Sequence, residues 1–115
     1  MVEASCHCGN VKIVVPEITE LLTSCNCSLC YKYAALWAYF SFGEVNFKIE
    51  ERVTKSYSWG KETREFYHCD TCGCLTHYTQ KEFNKKNKIA VNFRLVNSDI
   101  VNSLNIHFFD DAHNL

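Results

Sequence analysis

The chain has a single proline, Pro16, and shows no repeat, linker or low-complexity segment. Nothing subdivides it, so its 115 residues read as one domain over 1–115, enough for a modest core. A long apolar run is also missing. The longest, around residues 34–40, falls far short of the roughly 18 apolar residues that a membrane-spanning helix needs, which excludes helical membrane proteins. Nor is there an excess of charge, since twelve basic residues face thirteen acidic ones. That balance offers no bulk attraction to nucleic acid or anionic lipid, so neither is expected as a partner. The local exception, Lys81, Lys85, Lys86 and Lys88, reads as a solvated loop between strands. The opening Met1-Val2-Glu3-Ala4-Ser5-Cys6 carries no basic-then-apolar leader, which makes a cytoplasmic location the expectation. Disorder is excluded by an apolar fraction of 47%.

What is abundant is cysteine, with eight in so short a chain. The thiols fall in three knots: Cys6 and Cys8 as C-x-C, Cys25, Cys27 and Cys30 as C-x-C-x-x-C, and Cys69, Cys72 and Cys74 as C-x-x-C-x-C. A disulfide scaffold usually spreads its cysteines so that each bridge closes a loop of the unfolded chain. Metal sites cluster them, because thiolates must converge on one point at about 2.3 Å. A C-x-x-C turn brings two sulfurs to one ion. In C-x-C on an extended strand, alternate side chains share a face and can do the same. The spacing therefore points to metal rather than to disulfides or inert buried thiols. Tetrahedral thiolate sets suit zinc first and iron or an iron–sulfur cluster second. Eight thiols divide into two sites, but spacing alone leaves open which knot pairs with which.

The rest of the chain reads as mainly β. Val11-Lys12-Ile13-Val14-Val15 alternates and ends at Pro16, which suits a strand exit. Val45, Phe47 and Ile49 alternate with Asn46, Lys48 and Glu50; Ile89, Val91, Phe93 and Leu95 alternate with Ala90, Asn92 and Arg94; and near the end Leu104, Ile106 and Phe108 repeat the pattern. Segments 54–59 and 63–69, separated by Gly60-Lys61-Glu62, read as a hairpin that carries the third knot into place. Short helical turns are expected after Cys30 and over 98–103, where Ser98 is a candidate cap. The fold class is thus sheets clamped at their rims by zinc-binding cysteine knots, a means for a small core to gain stability. The aromatic run Tyr31, Tyr33, Trp37, Tyr39, Phe40 and Phe42 reads as core packing, or as the wall of a pocket beside the metal.

Three segments together resemble a known family: Cys6-His7-Cys8-Gly9-Asn10-Val11, Cys25-Asn26-Cys27-Ser28-Leu29-Cys30, and Tyr67-His68-Cys69-Asp70-Thr71-Cys72-Gly73-Cys74. With Ala90-Val91-Asn92-Phe93-Arg94-Leu95 and His107-Phe108-Phe109-Asp110, they are similar to the glutathione-dependent formaldehyde-activating enzymes, the family that includes centromere protein V. The resemblance implies a β-tent fold and two zinc ions. It implies that Cys6, Cys8, Cys69 and Cys72 form a closed structural cage. By the same resemblance Cys25, Cys27 and Cys30 belong to a catalytic site with a position left for substrate. The implied activity is that of a carbon–sulfur lyase joining formaldehyde to a small thiol such as glutathione, giving S-hydroxymethylglutathione. The chain is shorter than the longer family members and shows no separate glutathione-recognition motif.

Three cysteinates and a further thiolate would leave a zinc site with an excess of two negative charges, so nearby donors or cations are needed. Asn92 and Arg94 are candidates, placed by the alternation on one strand face; an ordinary sheet-surface hydrogen bond and ion pair is the competing reading. His68 and His77 are candidate proton carriers, or ordinary strand histidines. Cys74 decides between functions. Closing the second site with its sulfur, or less readily with His77, makes both metals structural and the protein a non-catalytic scaffold; pointing it away leaves an open site and an enzyme.

Overall fold

The computed structural model describes residues 1–16, 21–49, 54–58, 64–80 and 88–110. Ten strands run through them: β1 (Val2–Ser5), β2 (Val11–Val15), β3 (Leu22–Cys25), β4 (Trp37–Ser41), β5 (Asn46–Ile49), β6 (Lys55–Tyr57), β7 (Arg64–His68), β8 (Leu75–Gln80), β9 (Lys88–Asn92) and β10 (Ile106–Phe109). Two short helices, α1 (Ser28–Tyr33) and α2 (Ser98–Asn102), and two 3-10 turns complete them. The architecture is mainly β, as the alternating patterns predict.

The strands form two open sheets, one of three in the order β1-β2-β5 and one of seven in the order β10-β3-β4-β9-β8-β7-β6. All pairings are antiparallel except β10 with β3. Val2, Ala4, Val11, Ile13 and Val15 supply the buried face of the small sheet. They share a core with Leu22, Leu36, Ala38, Phe40, Ile89, Val91 and Phe93 of the large one. The opposite face of the large sheet carries a second cluster of Cys30, Ala35, Trp37, Phe66, Leu75, Tyr78 and Ala90. β9 is therefore covered on both sides: Ile89 and Val91 face the first core and Ala90 the second. The alternation is a period-2 pattern in which even the residue between two core positions is apolar.

One irregularity sets the second cluster. Tyr67 pairs with His77 and His68 with Leu75, so Thr76 is an extra residue in β8, a β-bulge. Its Oγ1 donates to the Tyr67 carbonyl at 3.2 Å. The bulge reverses the alternation, which lets Leu75 and Tyr78 join the same cluster although they are three positions apart.

Several expectations about single residues are corrected here. Phe93 and Leu95 do not continue a strand, because a 3-10 turn over Phe93–Leu95 follows β9. Asn92 and Arg94 consequently do not share a strand face. Asn92 is 4% exposed, and its Oδ1 accepts from Leu36 N and Arg94 N at 3.3 and 3.1 Å while Nδ2 donates to the Leu75 carbonyl at 2.9 Å. Arg94 is exposed and its Nε donates to the Ala34 carbonyl at 3.0 Å, just past the end of α1. Asn97 rather than Ser98 caps α2, accepting from Asp99 N at 2.8 Å. α1 begins before Cys30, not after it. β10 forms where alternation predicts, but all four of its side chains are exposed, since it is an edge strand without a covering layer. The hairpin expected over 54–69 is present as β6 and β7; its turn, the side chain of Ile49, and Lys81, Lys85 and Lys86 lie outside the described residues.

Asn92 thus ties β9 to the starts of β4 and β8 through two hydrogen bonds inside the core, and caps the following 3-10 turn with a third. Replacing it by Ala strands buried backbone groups, each costly once its partner is gone. We expect Asn92→Ala to lower unfolding stability by about 3 kcal/mol in denaturant titrations, with no direct loss of a cysteine.

Candidate metal centres

Two turns of the same design bring four sulfurs together. Between β1 and β2, Cys6 N donates to the Val11 carbonyl at 3.0 Å and Gly9 N to the Cys6 carbonyl at 3.1 Å. Between β7 and β8, Cys69 N donates to the Cys74 carbonyl at 3.0 Å and Gly73 N to the Cys69 carbonyl at 2.9 Å. In each, a glycine with φ near 80° (Gly9, +83°; Gly73, +79°) follows the second cysteine and reverses the chain. Such φ values are unfavourable for other residues. One turn belongs to the small sheet and the other to the large one, so their meeting joins the two sheets.

The Sγ atoms of Cys6, Cys8, Cys69 and Cys72 all lie within 4.8 Å of one another. Cys6 to Cys8 is 3.7 Å and Cys8 to Cys69 is 3.6 Å. Four ligands at about 2.3 Å in a tetrahedron stand about 3.8 Å apart, so the donor set fits a tetrathiolate metal site. Val11 N donates to Cys6 Sγ at 3.2 Å, and Asn10 Nδ2 lies 4.0 Å from Cys69 Sγ. Burial opposes ionisation of Cys72, but backbone N–H groups of Cys74 and Cys8 outweigh it and draw the thiol down to about 5. Cys8 is raised to about 12: a backbone hydrogen bond from Asn10 favours its thiolate, but desolvation and the neighbouring sulfurs oppose it more strongly. Without a cation, the crowded thiols cannot all ionise.

The second group is local. Cys25 ends β3, Cys27 caps α1 and Cys30 lies in its first turn. Their Sγ atoms also lie within 4.8 Å of one another. Cys27 N donates to Cys25 Sγ, and Cys30 N to Cys27 Sγ, each at 3.4 Å. Burial raises Cys25 and Cys30. Cys27 is held below the ordinary thiol range, because the Cys30 N–H and neighbouring thiols outweigh its burial. Among the described residues, neither group contains a histidine or a carboxylate.

Part of the aromatic run is core packing and part is exposed. Phe40 belongs to the core between the sheets, and Tyr31, Tyr39 and Phe42 are exposed. Trp37 packs in the cluster that holds Cys30, with partly buried Tyr33 against it. Trp37 meets Tyr78 edge-on at 4.7 Å and Phe66 at 6.1 Å, while Tyr33 lies 6.2 Å from Phe66. Trp37 is 1% exposed. Its Nε1 is the buried side-chain nitrogen that finds no hydrogen-bond partner among the described residues, a deficit of about 1–3 kcal/mol unless something accepts it. Sequence reasoning missed this role; the cue was a tryptophan seven residues after Cys30 at the start of a buried strand.

Cys74 lies with the first group of sulfurs rather than the second. It packs at the edge of the core containing Cys6 and Cys69, and burial raises its thiol against a backbone N–H from His7. Neither His68 nor His77 joins a sulfur group. His77 is buried, stacked on Tyr67 at 4.5 Å and near Phe47 at 4.9 Å, with Nδ1 2.8 Å from Thr76 Oγ1. Burial pushes it down to about 4, which keeps it neutral near pH 7.

Residues 1–109 match the family model for glutathione-dependent formaldehyde-activating enzyme. The chain belongs to this family. Its fold is similar to that of a Rhodobacter sphaeroides protein of known crystal structure, with TM-score 0.73 and 24% identity over 91% of this chain and 99% of that one. A search of curated proteins returned no match. Within the formaldehyde-activating family domain, the two cysteine groups are clusters that could hold metal ions.

Two measurements test these placements. Metal analysis of Cys74→Ser should give the same metal content as the native protein, whereas Cys27→Ser should lower it. His77 has a folded pKa below the unfolded value of about 6.5, so the unfolded chain binds more protons between the two values. Its contribution is complete above about pH 6.5 and is lost as pH falls towards about 4. Thermal melts of His77→Gln should therefore decline less than those of the native protein across that window.

Proposed function

We propose that both sulfur groups bind zinc and that the protein catalyses reversible addition of a small thiol, glutathione in the first instance, to formaldehyde. Cys6, Cys8, Cys69 and Cys72 would form a closed structural site. Cys25, Cys27 and Cys30 would hold the second ion and leave one position free. The observation that carries this reading is the three-membered second group, to which no further cysteine, histidine or carboxylate is added among the described residues. A scaffold with two closed sites needs Cys74 or His77 in that group, and neither lies there. Family membership supports the choice of thiol and aldehyde.

A zinc ion held by the three sulfurs would supply the positive charge that keeps an incoming thiol ionised near neutral pH. The addition makes one sulfur–carbon bond and opens the carbonyl, and the thiol's proton ends on the new hydroxyl. The chain's own part is to arrange charge. Backbone N–H groups of Cys27 and Cys30 donate to the sulfurs of Cys25 and Cys27, which offsets part of the excess negative charge. Arg64 sits over the Tyr78 ring at 5.5 Å on the aromatic cluster beside Cys30, a cation suited to an acidic thiol such as glutathione. His77, held neutral and wedged between aromatic rings, is assigned to packing rather than to proton transfer.

The test is the rate of S-hydroxymethylglutathione formation, followed by exchange NMR with zinc-loaded protein. The expected result is a rate above that of glutathione and formaldehyde alone, abolished in Cys27→Ser but kept in Cys74→Ser. No excess rate from protein carrying two zincs would rule out the named reaction.

A further inference from the structure

Every described sulfur of the two groups except one has a backbone N–H directed at it. Val11 N serves Cys6, and Cys27 N and Cys30 N serve Cys25 and Cys27. Backbone hydrogen bonds from Asn10, Cys72 and Cys74 favour the thiolates of Cys8, Cys69 and Cys72 respectively. Cys30 is the exception. It is the most buried sulfur of its group, at 6% exposure. The donor on its side is a side chain, the indole of Trp37, which acts on the Cys30 sulfur as a hydrogen-bond donor would. Yet Trp37 Nε1 has no partner at bonding distance and is sealed from solvent. The cluster thus contains a buried indole N–H with no partner at bonding distance, packed with the one sulfur of its group on which no backbone N–H is seen.

We propose that Trp37 is a positioning residue for the second site, its indole N–H donating to the Cys30 thiolate once a metal ion is held there. This rests on the reading of Cys25, Cys27 and Cys30 as metal ligands. A neutral thiol is a weak acceptor and leaves the indole unsatisfied, whereas a thiolate is a strong one. The bond completes a set in which each of the three sulfurs receives one N–H. By drawing electron density from Cys30 it leaves the metal more electrophilic towards the fourth ligand, the role that outer hydrogen bonds play at metal sites. Trp37 is held for this by its edge-on contact with Tyr78 at 4.7 Å, closer than its tilted approach to Phe66 at 6.1 Å. Its strand neighbour Ala38 faces the other core, which fixes the face of β4 on which the indole lies.

The test uses the native protein, Trp37→Phe, which keeps a ring and removes the N–H, and Phe66→Leu, which disturbs the same cluster and keeps it. Each is loaded with cobalt(II) for spectroscopy and with zinc for chelator competition. In Trp37→Phe we expect two metals per chain, a sulfur-to-cobalt charge-transfer band of the second site moved to lower energy, and second-site zinc affinity lowered about 10- to 100-fold. Phe66→Leu should melt earlier with the band unmoved. An unchanged band and affinity in Trp37→Phe, or an equal band shift in both variants, would overturn the role of the N–H alone. A native protein that saturates with one metal would overturn the metal reading of the second group as well. If Trp37→Phe does not fold, the native protein decides. On loading with cadmium-113, the Trp37 indole proton, assigned with Trp59→Phe, should move downfield and couple to the metal nucleus. Absence of both shift and coupling would overturn the proposal.

Discussion

The convergence of Cys6, Cys8, Cys69 and Cys72 is the constraint around which this molecule is arranged. Cys8 and Cys69 are 61 residues apart and 3.6 Å distant in space. They sit at the tips of hairpin turns from different sheets, so bringing them together places the small sheet over the large one. The first core lies between those sheets and contains Cys6 and Cys69 themselves. Apolar burial and sulfur convergence therefore reinforce the same arrangement. A chain of this length buries a smaller share of its surface than a large domain does, and cross-links of this kind commonly supply what such a core lacks.

The second face of the large sheet follows from that arrangement. β9 is buried on both sides because the small sheet covers one side and the aromatic cluster the other. The Thr76 bulge turns Leu75 and Tyr78 towards that cluster, and Trp37, the first residue of β4, lies among them. The three-sulfur group rests against this apolar wall. Low polarity there strengthens every electrostatic interaction at the sulfurs, whether with a cation or with an N–H donor.

The two sheets were legible in the sequence wherever one face is buried and the other is wet. Val11, Ile13 and Val15 alternate for that reason, and their pairing with β1 and β5 follows. The knots were legible because metal chemistry requires sulfurs to crowd. Legibility failed where a tertiary partner overrode the local pattern. Asn92 looks like a surface strand residue, yet backbone groups of Leu36 and Leu75, far off in the chain, draw its amide inside. Asn97 outcompetes Ser98 because its longer side chain reaches Asp99 N from one position earlier. The apolar alternation of Ile106 and Phe108 promised burial, but β10 lies at a sheet edge where no layer covers it. The bulge at Thr76 and the unsatisfied indole of Trp37 leave no mark on periodicity at all.

The two sulfur groups also differ in how much chain each encloses. Cys25, Cys27 and Cys30 span a single turn of backbone, so assembling them closes almost no loop, while the other four must close a loop of about sixty residues. The short knot can thus form, empty and refill while both sheets stay folded. The long-range group draws its sulfurs from both sheets, so losing it loosens the contact between them. Any ion they hold would be coupled to the fold to different degrees, weakly at the local turn and strongly where the two sheets meet.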